Sequence, residues 1–491
     1  MFVSAAGQAS ETQGEILSSI SNNPKLRDQA TVLKAFQSGQ ETTRFIVMLA
    51  EPATTKKGAA LDSEAATAAR RREVAAVLDG FFNRKKAADV GEVTRRFDYM
   101  PAFAATLTAA QLGNLLADDA VAFVRQDRMN KPHLRQGIPL MNASATRSKY
   151  SGAGVAVAIA DTGVDYMNTY LGAAPLASNT KVIGGYDVGE QKADPMDTEG
   201  HGTSCAGIVA GTIGDTGDYI GGVAPKAKIY ALKITDATGE APDSAIMAAG
   251  EWCITHQNDD PENPIRIINI SFGGERYTSN CDAAMPDYAA AVNNVLAAGI
   301  TIFASSGNDG YCNAMGSPAC LSGIISVGAV YDADFGTYTP CVEPECCLPK
   351  SPASECPGGY YIQDATAADK VAGYSNSASF LTLLASSNRC YTLQCSAQGQ
   401  TFNQTFGGTS AASPYAAGAA AALQSAAKTI IGRWLTPQEV KDALVSTGDE
   451  ITDAKSNVAT PRVDLQAAID AVLAGVTGVG ARSLLLLGDD Q

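Results

Sequence analysis

The sequence predicts an α/β fold in which a mostly parallel sheet carries helices on both faces and is preceded by a small α+β domain. After Gly152, short runs of Val, Ile and Ala alternate with Ala-rich segments, and each run ends in a polar or glycine-rich turn. Strands that are continuously apolar are covered on both faces, as in a parallel sheet. The charge also changes: residues 1–150 carry 20 Lys/Arg and 15 Asp/Glu (net +5), whereas residues 151–491 carry 16 and 36 (net −20). This change of sign indicates a domain boundary near residue 150.

Five strands of the sheet are predicted from the apolar runs, namely Val155–Ala160, Ile229–Ile234, Ile267–Ile270, Thr301–Ala304 and Ile324–Val327. In sheets of this kind, functional sites collect at the carboxyl ends of the strands. Further on, Thr436 to Glu439 has the pattern of a capping box with Pro437 at the first helical position, which predicts a helix through Leu444.

The front of the chain, residues 44–128, has a different pattern. We expect a strand Phe45–Leu49, a helix near 62–88, a strand Val93–Phe97, a helix opened by Thr108 and a strand Val121–Val124. This order predicts two helices on an antiparallel sheet. Residues 1–43 are expected to be an extension with one or two helices, residues 129–150 an exposed linker because of Pro132, Gly137 and Pro139, and residues 476–491 a tail.

Size and charge exclude several classes of protein. A chain of 491 residues is expected to form more than one folded unit. Its net charge of −15, concentrated after residue 150, argues against binding to nucleic acid or to an anionic membrane surface. The sequence contains no run of 18 or more apolar residues, so no membrane span is predicted. The basic front could instead dock on the acidic body.

All 11 cysteines lie between Cys205 and Cys395, which predicts disulfides formed in an oxidising compartment. The alternative is a zinc site made by Cys341, Cys346, Cys347 and Cys356, although His partners and paired C-x-x-C spacing are absent. Because the number of cysteines is odd, one thiol is left without a disulfide partner, and we expect it to be that of Cys205. We interpret Met1 to Ala5 as the stub of a trimmed signal peptide, which would make the protein secreted.

Three segments follow strands or open helices where a site is expected: Asp161-Thr162-Gly163, His201 to Gly207 (HGTSCAG) and Gly408 to Pro414 (GTSAASP). Over roughly residues 150–475 the chain resembles the subtilisin-like serine proteases, the subtilase family, with Asp, His and Ser in that family's chain order. Residues 103–108 and 121–124 resemble the family's inhibitory propeptide. The resemblance implies a catalytic triad of Asp161, His201 and Ser410.

The residue types support this triad on chemical grounds. A serine hydroxyl is a weak nucleophile near neutral pH and needs a base within hydrogen-bond reach. Among the three histidines, His133 lies in the expected linker and His256 in a polar stretch, so His201 is the expected base. Asp161 would orient the imidazole and stabilise its protonated form.

The resemblance also implies further roles. Asn308 is expected to donate to the oxyanion, and substrate is expected to bind along Ser271-Phe272-Gly273 and Ser305-Ser306-Gly307, with a further edge near Gly239–Ala241. No acidic residue lies in the first two segments, so we expect a broad apolar preference. Catalysis needs no cofactor, and structural calcium at Asp215 and Asp218 is left open.

Two departures from the family pattern stand out. Asn168-Thr169 replaces a His-Pro pair, and the Cys-rich insert at about 332–370 has no counterpart, so it is either a staple of a long loop or a specificity loop. The resulting hypothesis is a secreted, monomeric serine endopeptidase that acts on polypeptides, is inhibited by its own propeptide and cuts itself within residues 126–150. The alternatives are a peptide ligase or acyl-transferase with the same triad, and a non-catalytic peptide-binding module with this fold.

Overall fold

The computed structural model describes residues 17–51 without 19, 22 and 28, residues 64–126 without 99, and residues 137–485. These residues form two compact units, and the division between the units falls between Lys131 and Pro132. Each unit has its own sheet and its own core. Within the described residues, no helix is both long and apolar enough to cross a bilayer.

The first unit contains an antiparallel sheet in the order β2-β3-β1-β4, together with helices. Its elements are α1 (Gln29–Gln37), β1 (Thr43–Leu49), α2 (Glu64–Phe82), α3 (Ala87–Val90), β2 (Glu92–Arg96), β3 (Ala102–Leu107), α4 (Ala109–Leu116) and β4 (Val121–Gln126). The antiparallel sheet with helices is therefore confirmed. Thr108 caps α4 as expected, because its hydroxyl accepts the amide of Gln111 while the Gln111 side chain accepts the amide of Thr108.

Two features of the first unit differ from the expectation. Strand β3 is an additional central strand, because its Ala-rich, almost fully buried run lacks the alternation that separates a strand from a helix. The expected boundary at residue 44 is wrong in terms of packing, since Ile20, Leu26, Val32 and Phe36 share one core with Phe45. Residues 1–16 lie outside the described residues.

The second unit is larger. Its helices are α5 (Gly137–Leu140), α6 (Thr146–Lys149), α7 (His201–Ala210), α8 (Asp243–Thr255), α9 (Pro286–Ala297), α10 (Thr409–Ile431), α11 (Pro437–Thr447) and α12 (Leu465–Leu485). The strands of its main sheet are β5 (Ala156–Asp161), β6 (Val182–Asp187), β7 (Lys228–Lys233), β8 (Ile265–Ile270), β10 (Thr301–Ser305), β12 (Ile325–Tyr331), β18 (Leu383–Ser387), β21 (Asp449–Thr452) and β22 (Ala459–Arg462). Shorter strands outside this sheet are β9 (Arg276–Tyr277), β11 (Met315–Gly316), β13 (Thr337–Tyr338), β14 (Cys341–Val342), β15 (Lys350–Pro352), β16 (Tyr360–Ile362), β17 (Asp364–Ala365), β19 (Cys390–Leu393) and β20 (Phe402–Phe406).

The main sheet runs in the order β21-β22-β18-β12-β10-β8-β5-β7-β6, and every neighbouring pair is parallel except β21 with β22. The five predicted strands and the mostly parallel sheet are confirmed, as is the helix capped by Thr436. Sequence patterns did not find β6, β18, β21 and β22, because glycine, serine or charged residues interrupt their apolar runs.

Helices cover both faces of the main sheet, as predicted. Val157 and Ile159 of β5 pack into one core together with α7 and α10. Ala158 and Ala160, which point the other way because side chains alternate along a strand, pack into a second core with α8 and α9. The small residues of α10 allow this helix to lie almost fully buried at the centre of the unit.

Residues 137–150 are not the exposed linker that the sequence suggests. Ile138, Met141 and Ala143 are buried in the core of the second unit. Gly137 packs so closely that a Cβ atom on it would lie 2.8 Å from the Tyr415 hydroxyl. The rest of the expected linker, residues 129–136, lies outside the described residues.

The cysteines form three disulfides in the described residues, Cys281–Cys320, Cys312–Cys347 and Cys341–Cys356. The zinc alternative is wrong, because three of its four sulfurs are used in these bonds. Five cysteines remain free and all are buried, so the expectation of a single free thiol is also wrong, although Cys205 is among the five. The odd count excluded complete pairing but could not show how many buried thiols stay unpaired.

Candidate active site

Asp161 and His201 are brought together at the carboxyl end of β5. Asp161 is the last residue of that strand and is fully buried, whereas His201 is the first residue of α7 and its side chain is 30% exposed. The imidazole Nδ1 lies 2.7 Å from Asp161 Oδ1, which also accepts the Thr162 amide at 2.8 Å. The carboxylate therefore sets the orientation of the ring and favours the tautomer with its proton on Nδ1.

A buried carboxylate that the sequence analysis missed shapes the turn before His201. Asp197 accepts hydrogen bonds from the Thr162 hydroxyl at 3.0 Å, the Gly200 amide at 2.8 Å and the Thr203 amide at 3.0 Å. Gly202 allows α7 to approach β5, because a Cβ atom there would lie 2.1 Å from the Gly163 carbonyl oxygen. An acidic residue four positions ahead of a glycine-flanked His was the available signal for this role.

The electrostatics of His201 are dominated by two opposing effects. Burial alone would lower the pKa of His201, but the negative charge of Asp161 and the hydrogen bond between them outweigh burial, so the pKa lies well above its ordinary value. The pKa of the neighbouring Cys205 thiol is raised to about 11, chiefly by burial and then by Asp161. The imidazolium is therefore stabilised, while the thiol stays neutral near pH 7.

Ser410 is the second residue of α10 and is partly exposed. Its Oγ donates to the Ser271 carbonyl at 3.3 Å, and the Ser271 hydroxyl donates to the Ser410 carbonyl at 3.1 Å. The Cys205 sulfur lies 3.5 Å from the Ser410 carbonyl and 3.7 Å from Asp161 Oδ2, so it contacts two of the three expected members of the triad. In this rotamer the serine hydroxyl is directed at Ser271, and no hydrogen bond between it and the imidazole occurs in residues 137–485.

Two aromatic rings enclose the imidazole. The rings of Phe272 and Phe406 stand edge-on to His201, with centroid separations of 5.7 and 5.2 Å. Phe272 was expected to contact substrate, whereas Phe406 was not identified from the sequence. Both rings restrict the access of water to the Asp161–His201 pair.

Asn308 follows β10 and is exposed. Its Oδ1 accepts the amide of Thr409 at 2.8 Å and the Thr409 hydroxyl at 3.0 Å. Because a backbone amide can only donate, the oxygen of Asn308 must face Thr409, and Nδ2 is left with no partner among the described residues. A Cβ atom on Gly408 would lie 3.1 Å from that nitrogen, so the glycine keeps the space beside it open.

Two buried asparagines that the sequence analysis missed hold the surrounding segments. Asn376 Oδ1 accepts the amides of Asp309 at 3.0 Å and Tyr311 at 3.2 Å. Asn269 donates to the Ser271 hydroxyl at 3.0 Å and accepts from the Ser413 hydroxyl at 2.8 Å, which joins β8 to α10. Neither residue belongs to a recognisable local motif, since Asn376 holds Asp309 and Asn269 holds Ser413, both of which are distant in sequence.

The segments expected to bind substrate differ from one another. Gly273 is exposed, and its amide and carbonyl make no hydrogen bond within the described residues. Ser305 and Ser306 are buried, and Ser306 uses its amide with Val327 and its hydroxyl with Asn376. The amide and hydroxyl of Ser306 are therefore used within the protein, and its contact with substrate stays a prediction.

The remaining expected segments are only partly accessible. The Gly307 amide donates to the Thr409 hydroxyl at 3.2 Å, so Gly307 contributes to the support of Asn308. Gly239–Ala241 lies in a loop after β7 and is not a strand edge. In the segment Ser271 to Gly273, the backbone groups of Gly273 are thus free to pair with substrate.

The residues proposed for calcium do not form a carboxylate site. Asp215 is exposed and Asp218 is buried. The only group of three potential ligands found among the described His, Cys, Asp and Glu residues is Asp161, His201 and Cys205, whose ligand atoms lie within 4.8 Å of one another. Asp215 and Asp218 belong to no such group among the described residues, and a calcium ion at this pair stays a prediction.

Several serine proteases are similar to this chain in sequence. The chain is 27% identical over 375 residues to serine protease AprX of Bacillus subtilis (strain 168), covering 74% of this chain and 77% of AprX. It is 29% identical over 367 residues to subtilisin E of the same strain, covering 73% of this chain and 78% of subtilisin E. The crystal structure of a cold adapted subtilisin-like serine proteinase is similar with a TM-score of 0.46 and 22% identity, covering 64% of this chain and 89% of that chain. The model of the subtilase family matches residues 152–466, and the chain therefore belongs to the subtilase family of serine peptidases.

Proposed function

We propose that this chain is a secreted endopeptidase that hydrolyses polypeptides through an acyl-enzyme formed on Ser410, and that it is made as a self-processing zymogen. The observation that carries the proposal is the 2.7 Å contact between Asp161 and His201. The Cys205 sulfur connects Asp161 to Ser410, because it contacts both the Asp161 carboxylate and the Ser410 carbonyl. Asp161, His201 and Ser410 lie at a strand end or a helix start of one unit, where an α/β sheet collects its site.

Ser410 must turn toward His201 before it can react. Rotation about its Cα–Cβ bond exchanges the 3.3 Å hydrogen bond to Ser271 for a position facing the imidazole, and such staggered positions interconvert readily for an exposed serine. Nε2 of His201 then takes the hydroxyl proton as Oγ attacks the peptide carbonyl carbon. Asp161 stabilises the imidazolium, which returns the proton to the leaving amine. Water repeats the sequence to release the acid.

Two donors support the oxyanion of the tetrahedral intermediate. Nδ2 of Asn308 has no partner among the residues that the structure describes, and Oδ1 is held by Thr409, so the amide group is already oriented before substrate binds. The Ser410 amide lies in the first turn of α10, where amides have no partner within the helix. Donors arranged before the reaction stabilise developing charge without reorganisation cost.

Substrate binding relies on the free backbone of Gly273. An extended peptide that pairs with this segment places its main chain next to Ser271 and Phe272, close to the Ser410 hydroxyl. Recognition through main-chain hydrogen bonds accepts many sequences, which fits an endopeptidase of broad preference.

The first unit acts as the propeptide in this proposal. It has its own core, and residues 1–131 carry 17 Lys/Arg and 15 Asp/Glu (net +2) against 19 and 36 (net −17) for residues 132–491, which favours association. Because residues 137–150 are part of the second core, the cut is expected within residues 127–136. Slow folding of a parallel sheet with many non-local contacts explains the need for a folding assistant. The three disulfides support secretion into an oxidising compartment.

Autoprocessing provides the test. The native chain is expected to shorten during expression, with a new N-terminus within 127–136, whereas the Ser410→Ala variant stays full-length because it lacks the nucleophile. Intact mass and N-terminal sequencing measure both. A serine-reactive phosphonate should label the native protein on the peptide that contains Ser410. Equal shortening of both proteins, or no label at Ser410, would contradict the proposal.

A further inference from the structure

We propose that the Cys-rich insert, residues 332–370, positions the oxyanion donor Asn308, and that the Cys312–Cys347 disulfide is the connection through which it does so. This inference rests on the oxyanion role of Asn308 proposed above. It gives the insert a catalytic purpose beyond that of stapling a long surface loop.

The loop that carries Asn308 has little support of its own. It leaves β10 at Ser305 and continues through residues 308–313, of which Asn308 itself is exposed. Thr409 and Asn376 hold it from the side of the main sheet, through the bonds to Asn308 Oδ1 and to the amides of Asp309 and Tyr311. The opposite side of the loop would be open to solvent without the insert.

The insert closes that side with contacts to consecutive residues of the loop. The Glu343 amide donates to the Asp309 carbonyl at 3.1 Å, and the Cys347 amide donates to the Gly310 carbonyl at 3.4 Å. Gly310 has φ +77, and a Cβ atom there would lie 2.6 Å from the Cys346 sulfur, so the insert packs directly onto the backbone of the loop. The Cys312–Cys347 bond then joins the two segments covalently, four residues after Asn308.

The insert is itself anchored to the main sheet, so it can hold the Asn308 loop in a fixed position. At its base, Val330 at the end of β12 bridges to Val371. Inside the insert, Asp364 accepts the Tyr331 hydroxyl at 2.7 Å and the Gly373 amide at 2.6 Å, and it also pairs with Lys370. The strands β14, β16 and β15 form a small sheet of their own. Cys312 is thus bonded to a structured element rather than to a free loop.

The effect of the insert on catalysis depends on how precisely the side chain of Asn308 must be positioned. An oxyanion donor works only if it is held close to its productive position, and a loop that is loose by about 1 Å loses much of its effect. Cys312 and Cys347 touch neither substrate nor the reacting atoms, so they are positioning residues. Their loss should lower kcat while leaving the ground-state binding of substrate unchanged.

The experiment compares two disulfides of the same insert. The Cys312→Ser/Cys347→Ser variant removes the bond to the Asn308 loop, whereas Cys341→Ser/Cys356→Ser removes a bond that joins two residues within the insert. For the first variant kcat is expected to fall by about 10- to 100-fold, the range that a misplacement near 1 Å costs. Its KM for a short peptide substrate should stay the same, and a peptide aldehyde, which forms an oxyanion when bound, should lose affinity in parallel with kcat. The second variant should keep both values.

A double-mutant comparison assigns the effect to Asn308. In an Asn308→Gly background, removal of Cys312–Cys347 should change kcat by less than about twofold, because the group that it positions is already absent. Equal losses of kcat in the two disulfide variants, or a full further loss in the Asn308→Gly background, would overturn the inference. If Asn308→Gly alone leaves kcat unchanged, the oxyanion role fails instead.

A measurement on the native protein covers the case in which the first variant does not fold. Purified mature enzyme is treated with a phosphine, which supplies the two electrons for each opened bond, and new thiols are capped with iodoacetamide. Mass spectrometry of the peptides gives the opened fraction of each disulfide. The loss of kcat should follow the opening of Cys312–Cys347. Loss that follows Cys341–Cys356 or Cys281–Cys320 would overturn the inference.

Discussion

The two sides of the candidate site are built in opposite ways. On the proton-transfer side, Asp161 and Cys205 are fully buried, and their positions follow from the end of a central strand and the start of a buried helix. On the oxyanion side, Asn308 is exposed, its side chain is held by Thr409, and its loop is held by Asn376 and by the insert. One side is shaped by the core, the other by loops.

The difference follows from what each side must do. A carboxylate acts strongly on an imidazole only where water does not screen it, so the Asp161–His201 pair belongs in a low-dielectric interior. An oxyanion donor has to meet the substrate, so it cannot be buried and must be held from behind. Changes on the buried side should therefore lower stability, and a change of Asp161 should lower catalysis as well, whereas changes on the exposed side should affect catalysis alone.

The largest expected effect is that of Asp161→Asn. The amide cannot stabilise the imidazolium and favours the wrong tautomer, so kcat is expected to fall by about 10⁴-fold, as in other triads of this type. Steady-state kinetics measure the loss, and thermal unfolding is expected to show reduced stability as well. A decrease below about tenfold would show that Asp161 is not the partner of His201 in the reaction.

The pH profile makes the same comparison sharper. Asp161 raises the pKa of His201, so the free base is available only above that raised value and activity should be lost as the pH falls through it. The residual activity of Asp161→Asn should persist to lower pH, because the charge that raised the pKa is gone. The effect on stability has the opposite sign. The Asp161–His201 pair contributes fully to the stability of the fold below the pKa of histidine in the unfolded chain, about 6.5. This contribution is lost as the pH rises through the raised pKa of His201.

Asn308→Gly should have the next largest effect. Removal of this type of donor in a subtilisin costs about 10²–10³-fold in kcat, and we expect a loss of that order here. KM and the unfolding temperature should change little, because Asn308 is exposed. Asn313→Gly, at another exposed position of the same loop, is the matched control. A comparable loss in the control would mean that loop flexibility, not the missing donor, lowers the rate.

Cys205→Ala should have the smallest effect on the rate, although the residue is fully buried. Its thiol is neutral because burial raises its pKa to about 11, so we expect kcat to stay within about threefold of the native value. The small cavity should lower the free energy of unfolding by about 1 kcal/mol. Chemical denaturation and kinetics measure the two effects. A hundredfold loss of kcat with intact stability would assign the thiol a direct part in proton transfer.

Sequence reasoning reached the parts of the molecule whose residues are dictated locally. The apolar runs of β5, β7, β8, β10 and β12 predicted a parallel sheet because each run must be buried on both faces. Asp161, His201 and Ser410 were proposed as a triad because the short segments around them resemble the motifs of the subtilase family, and Asp161 and His201 do lie within hydrogen-bond distance. The capping boxes at Thr108 and Thr436 were found because a cap is a property of four consecutive residues.

Only the tertiary structure decided which distant segments meet. Residues 137–150 look like a linker in sequence, and their burial depends on space beside Tyr415. Asn376 supports the Asn308 loop from about seventy residues away, and the pairing of Cys312 with Cys347 selects one partner among several nearby cysteines. The composition and spacing of a sequence specify which groups are to be buried or capped, but contacts between segments far apart along the chain depend on how the whole core packs.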